Sequence, residues 1–167
     1  MENGIKKILR DKYGLFEKDI EILLEKFTKF SVPKREIILQ EGQTDHYIYF
    51  VEKGIVKSTI LREGREFIIF FALENDAPLS SPNLTESRQS LYTLEAVDTC
   101  ILWRISRKDL ATSFKDSLNL SNWGRMILQE WLTSSSFYFS SIHWMSKKEQ
   151  YQYLLKEMPK LIQRLSM

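Results

Sequence analysis

The side chains able to do chemistry in this sequence are few. Two histidines, His46 in QTDH and His143 in SIHW, and one cysteine, Cys100 in CILW, are its whole stock of imidazole and thiol. A metal-dependent enzyme on a small β-fold takes several nitrogen, sulfur or oxygen ligands, usually with more than two histidines among them. Neither a Ser/His/Asp nor a Cys/His nucleophile can be assembled from this set. Surface and packing roles suit the histidines, and a buried small side chain suits Cys100. We therefore expect no enzyme, no metal and no cofactor. What remains is hydroxyl chemistry. The run LSSPNLTES, beginning at Leu79, carries Ser80 and Ser81 and can hold a neutral or weakly charged ligand or simply face water. Further on, Ser134, Ser135 and Ser136 lie between Trp131 and Phe137, where they either form one wall of a pocket or let two helices pack closely.

These residues need a scaffold, and the pattern of the chain supplies one. Helices are predicted over Ile5 to Tyr13 and Glu17 to Phe27, the second from Ile20, Leu23, Leu24 and Phe27 at helical spacing. Val32-Pro33 ends that geometry, because the residue before a proline is pushed toward extended conformations. Strands are predicted near Glu36 to Leu39, Tyr47 to Glu52, Ile55 to Leu61, Glu66 to Leu73, Leu91 to Ala96 and Thr99 to Ile105. Arg62-Glu63-Gly64-Arg65 is expected to form a hairpin turn. Short strands at this spacing form a roll or barrel, so the fold class is α+β around an antiparallel β-roll of jelly-roll type. Ser106 is a helix N-cap for Arg107 to Phe114, with Asp109 at the third position. A long helix follows, from Leu118 or Ser121 to Met145, then a shorter one from Lys147 to Glu157. Pro159 stops that one, and Leu161, Ile162 and Leu165 begin another amphipathic segment.

Composition narrows the function classes. Hydrophobic residues make up 43% of the 167, which excludes disorder. The longest apolar run, FIIFFAL from Phe67, is seven residues, far below the roughly 20 needed to cross a bilayer. The opening MENGIKKILRDKYG has no apolar signal core, so a cytoplasmic location without membrane contact is expected. A single cysteine excludes an internal disulfide and a four-cysteine iron–sulfur cluster. A net charge of +2 excludes the whole chain as an electrostatic nucleic-acid binder, and the basic residues after Ser146 are scattered as on a solvated helix face.

Between Ile37 and Leu61, two alternating strands bracket Gly42 and Gly54 in the pattern G-x6-Y-x4-G through Tyr49. This pattern, followed by a short helix, a long aromatic helix and the tail KKEQYQYLLKEMPKLIQRLSM, resembles the CRP/FNR superfamily of transcription regulators, and the tail resembles members from the Bacteroidetes. The resemblance implies a cyclic-nucleotide-binding-like sensor and dimerisation domain over residues 1–145. Residues 146–167 would then be the start of a DNA-binding, winged helix-turn-helix domain that is missing from this chain. It also implies a phosphate-binding cassette after FIIFFAL, in which a glycine admits the phosphate to backbone amides, a glutamate takes a ribose hydroxyl and an arginine pairs the phosphate. Read without gaps, those positions are Leu79, Ser80 and Ser90, with Leu91 beside the last, and every one departs from the pattern. Arg88 lies two residues upstream on the same strand face. The ligand-contacting pair of the long helix falls on Ser135 and Ser136.

The candidate ligand residues are therefore Ser80, Ser81, Arg88, Ser90, Leu91, Ser135 and Ser136. The expected homodimer uses Trp123, Ile127, Trp131, Ser134 and Tyr138. The reading is an effector-sensing and dimerisation domain that responds to an unknown small molecule rather than cyclic AMP, and reaches DNA only through a module outside this chain. The alternative is a ligand-free β-roll acting as a protein-interaction or dimerisation module.

Overall fold

The computed structural model describes residues 4–141, 144–157 and 159–165. The chain opens with α1 (Gly4–Lys7), which continues into a π-helical turn (Ile8–Lys12), and α2 (Glu17–Leu24). Ile5, Leu9, Ile20 and Leu23 are the buried stripe of this helical layer. Beyond Leu24 the chain departs from expectation. Instead of continuing the helix to Phe27 it turns and enters a strand, β1 (Thr28–Val32), which pairs antiparallel with the last strand of the roll.

The remaining strands are β2 (Ile37–Leu39), β3 (Thr44–Asp45), β4 (Tyr47–Lys53), β5 (Val56–Arg62), β6 (Arg65–Ala72), β7 (Arg88–Gln89), β8 (Thr93–Ala96) and β9 (Cys100–Ser106). They form sheets in the orders β1-β9-β4 and β2-β8-β5-β6, with β3-β7 as a separate two-stranded ribbon. Val32, Leu39, Val51, Val56, Leu94 and Leu102 fill the space between the larger sheets. The β5–β6 hairpin closes on the expected turn: Arg62 faces Arg65, and Glu63 and Gly64 both take positive φ, as a tight two-residue hairpin requires.

Gly54 is where side-chain size matters most. It has φ +104°, and a Cβ there would lie 2.5 Å from Cys100 Sγ and 2.9 Å from Cys100 Cα. Gly54→Ala therefore combines a strained backbone with a backbone clash, each of order 1–3 kcal/mol. We expect the melting temperature to fall by at least about 4 °C, since about 1 kcal/mol shifts a domain of this size by about 2–4 °C. An unchanged melting curve would show that the corner relaxes.

Ser106 caps α3 (Arg107–Asp116) as the sequence indicates, its hydroxyl accepting from the Asp109 N–H at 3.0 Å. Ser117 then caps α4 (Leu118–Ser140). Leu120, Trp123, Ile127 and Trp131 form one face of α4, and all four are buried against the roll. Trp123 stacks on Phe50 at 5.8 Å and meets the edges of Tyr13 and Phe114. Gly124 lets the Phe114 ring approach the helix, because a Cβ there would sit 2.5 Å from it.

That packing corrects the expected interface. Trp123, Ile127 and Trp131 bury themselves in their own chain, in one core cluster with Ile5, Leu9, Ile20 and Leu23 of the N-terminal layer and Phe50 of the roll. Ser134 is half-buried, and the side chain of Tyr138 lies outside what the structure describes, as does His143. The outward side of α4 carries Leu118, Leu128 and Leu132 instead.

A capping box between Ser146 and Glu149 opens α5 (Lys147–Glu157): the Ser146 N–H donates to the Glu149 carboxylate at 2.8 Å, and the Ser146 hydroxyl accepts from the Glu149 N–H at 3.3 Å. The last element, α6 (Pro159–Leu165), returns to the roll with Leu161 fully buried. Arg164 there is clamped by Asp98, through Nε at 2.9 Å and a second contact from Nη2, and by Glu74 at 2.7 Å. Burial works against ionisation of Glu74. The bonds from Arg164 and the Gly54 N–H outweigh it and hold the carboxyl below its usual range.

Candidate functional site

The cassette segment between β6 and β8 is folded onto a buried charge cluster. Asp45 ends β3 and Arg107 begins α3, and Ser80 lies between them; all three are at most 1% exposed. The Arg107 guanidinium donates from Nε to the Asp45 carbonyl at 3.0 Å and from Nη2 to the Asp45 carboxylate. Ser80 donates its hydroxyl to the same carboxylate at 2.5 Å and accepts from Arg107 Nη2 at 3.3 Å. Arg107 Nη1 is buried with no hydrogen-bond partner. Two oppositely charged groups thus pair directly in the interior, and one serine bonds to both.

Ser90 is bound into the fold as well. Its hydroxyl donates to the carbonyls of Tyr92 at 2.6 Å and Ser80 at 3.2 Å, its N–H donates to Gln43, and its carbonyl accepts from Gly42. At the position where the family pattern has an arginine, the chain has a hydroxyl spent on backbone. Ser81 is buried beside it, and Leu79 is packed into the core. Arg88 does not restore the missing cation: it sits on the surface with Nη2 2.6 Å and Nε 3.1 Å from the Glu86 carboxylate. Leu91 is half-exposed, and Ser135 and Ser136 lie on α4. The seven expected ligand residues therefore do not surround one cavity.

A cavity does exist nearby. A cleft of about 1210 Å³ lies between β6, α4 and α5. Its lining includes Ser134, Trp131 and Phe137 but none of the seven expected residues. The strand pairing of β6 shifts register between Ser58 and Thr59 of β5, so that Ile69 is passed over. A bulge of this kind re-aims neighbouring side chains, which accounts for consecutive residues from Phe67 to Phe71 all contributing to the lining.

Sequence reasoning missed Asp45 and Arg107. They are 62 residues apart, one in a polar loop and one at a helix start, and nothing local marks either as a buried ion. Cys100 is a buried thiol, as expected. Burial, and then the Asp98 carboxylate, push it up to about 11, so it is not a nucleophile at neutral pH.

Known proteins place this geometry. The model of the cyclic nucleotide-binding domain family matches residues 29–117, more than half of the chain. No curated protein matches it. Among solved structures, FixK2 from Bradyrhizobium japonicum superposes with a TM-score of 0.71 at 21% identity, covering 80% of this chain and 66% of that one. The c-di-GMP responsive global regulator CLP from Xanthomonas campestris gives 0.71 at 18% identity, covering 87% and 74%. The regulatory domain of Toxoplasma gondii PKA, solved with cAMP, gives 0.59 at 21% identity, covering 65% and 42%. The chain thus spans about two thirds or less of FixK2 and of the Toxoplasma protein. Among the described residues no helix is long and apolar enough to cross a membrane. Because that family model covers more than half of it, the chain belongs to the cyclic nucleotide-binding domain family, and it shares its fold with FixK2 and CLP.

Proposed function

We propose that the chain is the effector-sensing and dimerisation part of a CRP/FNR-type transcription regulator, and that its effector is not a cyclic nucleotide monophosphate. The observation that carries the second half is the closed cassette. A cyclic phosphate entering the roll must leave water, and a buried anion needs a charge-assisted donor. Ser90 offers a hydroxyl already bonded to backbone, Leu79 fills the place of the amide-exposing glycine, and the buried guanidinium of Arg107 is held by Asp45. Losing such a charge pair costs about 2–5 kcal/mol, and a loss of about 4 kcal/mol turns a micromolar site into a millimolar one. Calorimetry with cyclic AMP and cyclic GMP is expected to give dissociation constants no tighter than about 1 mM. A micromolar value for either, abolished by Arg88→Ala, would show that the exposed arginine swings in.

Support for the dimer comes from the outward face of α4. Leu118, Leu128 and Leu132 are exposed there; Leu118 and Leu132 are two heptads apart, and Arg125 sits midway in a polar contact with Asn122 and Gln129. That is coiled-coil spacing with one polar seat. Leu132→Glu is expected to leave the melting temperature of the protomer within a few degrees and to convert a dimer to a monomer in sedimentation at micromolar concentration. A monomeric wild type would remove the dimer from the proposal. Residues 146–167, with α5 and α6, serve in this reading as the start of the DNA-binding domain. The decisive experiment for the regulator role is operator selection with the complete gene product: recovery of a two-fold symmetric DNA site supports it, and sequence-independent binding alone refutes it.

A further inference from the structure

We infer that the cleft between β6, α4 and α5 is a binding site for an uncharged, ring-bearing small molecule; this rests on the effector-sensing reading above and gives it a ligand class. The site shares Asp76 and Ala77 with the cassette segment but contains none of the seven expected ligand residues, and it has a third wall, which α5 supplies through Tyr153 and Leu154.

Three observations select the ligand. The first is shape: a volume of about 1210 Å³ exceeds the roughly 300–1,000 Å³ of ordinary small-molecule pockets, so several fused or linked rings fit. The second is surface. Phe67 and Ile68 on the strand are more than a third exposed, and Phe137 of α4 and Tyr153 of α5, packed on each other in a tilted pair with ring centroids 5.3 Å apart, form one aromatic stretch of the wall. Trp131 is a fixed wall, anchored by its indole N–H on the Ala77 carbonyl at 2.8 Å. Aromatic faces set this way reward stacked or edge-on rings.

The third observation is charge. Lys12 in the lining sits 3.0 Å from both Asp76 and Glu130, and Glu66 is 2.9 Å from Lys57. A ligand anion would have to draw Lys12 away from two carboxylates and then lie beside them. A ligand cation would have to displace Lys12 from the same two carboxylates, to which it is already paired. Lys147 also lines the cleft, but it is exposed, so solvent screens its charge. Thr133 and Ser134 add hydroxyls that can orient a neutral polar substituent.

The test compares two fluorescent probes that share one ring skeleton: uncharged N-phenyl-1-naphthylamine and its sulfonated analogue 1-anilinonaphthalene-8-sulfonate. Titrated into the intact chain, the neutral probe is expected to saturate one site per chain and to bind at least ten-fold more tightly than the anion. Ser134→Trp, which fills the cleft, and Phe67→Glu, which adds a carboxylate at an exposed position, should each weaken the neutral probe at least ten-fold. Melting curves confirm that each variant is folded, and the surface variant decides the matter if the other is not. Equal or tighter binding of the anion overturns the inference, as does neutral-probe binding that both variants leave unchanged. An affinity that falls as dimer forms assigns the cleft to a second copy and also overturns it. Operator binding by the complete gene product separates this inference from the reading beneath it. If the probe binds as described but no operator is found, the site stands and the sensing role falls. If an operator is found but the probe does not bind, the sensing role stands and the site falls.

Discussion

Asp45→Ala is expected to destabilise the domain by about 3–5 kcal/mol, the cost of leaving one member of a buried ion pair without its partner. The stranded group is Arg107, which is 1% exposed and whose Nη1 already lacks an acceptor. Removing the carboxylate also deprives Ser80 of the acceptor for its hydroxyl. The double change Asp45→Leu with Arg107→Met removes both charges at similar volume, and much of the loss should return, since apolar replacements of buried pairs are often neutral or better. Denaturant midpoints for the two variants check this. A loss under about 1.5 kcal/mol for Asp45→Ala, within the range of an ordinary hydrogen bond, would mean that water reaches the cluster. A double variant no better than the single one would mean that the pair fixes the geometry of the cassette in a way apolar packing cannot replace.

Trp123→Ala should cost a similar amount, about 3–5 kcal/mol, typical for truncating a large aromatic residue in a core. The indole is fully buried and touches three rings, Phe50, Tyr13 and Phe114, that belong to the roll, the N-terminal layer and α3. It therefore ties three layers to α4, and its loss should loosen all of them together. Hydrogen exchange is expected to rise in α1 and α4 alike. If instead stability falls by less than about 1 kcal/mol while sedimentation shows loss of a dimer, the residue faces a second chain after all.

The fold was legible where local chemistry dictates local geometry. Ser106 with Asp109 marked a helix start, and Arg62-Glu63-Gly64-Arg65 marked a hairpin turn. Residues Thr28–Val32 were not legible as a strand, because three of the five are exposed and their partner, β9, lies more than 65 residues away. The direction of α4 was misread for a different reason. Helical spacing shows that Trp123, Ile127 and Trp131 share a face, but it cannot say whether the surface they meet belongs to the same chain. Much of the candidate site was illegible for the same kind of reason. Departures at Leu79, Ser80 and Ser90 could be seen in the sequence. That Ser80 would lie between Asp45 and Arg107 depends on where two distant loops meet.

The clamp on Arg164 has a consequence for how the C-terminal helix is held. Its bond to Asp98 joins residues 66 positions apart in the chain, so docking of α6 is an intramolecular association at high local concentration. The partners are about a quarter exposed, and a screening length of about 8 Å at physiological ionic strength reaches them. A lowered carboxyl such as that of Glu74 contributes above its ordinary range and stops contributing as acid takes it through its folded value. The helix is therefore tethered by terms that salt and acid can dial down, while burial of Leu161 persists, so solution conditions grade its grip on the roll rather than switching it off.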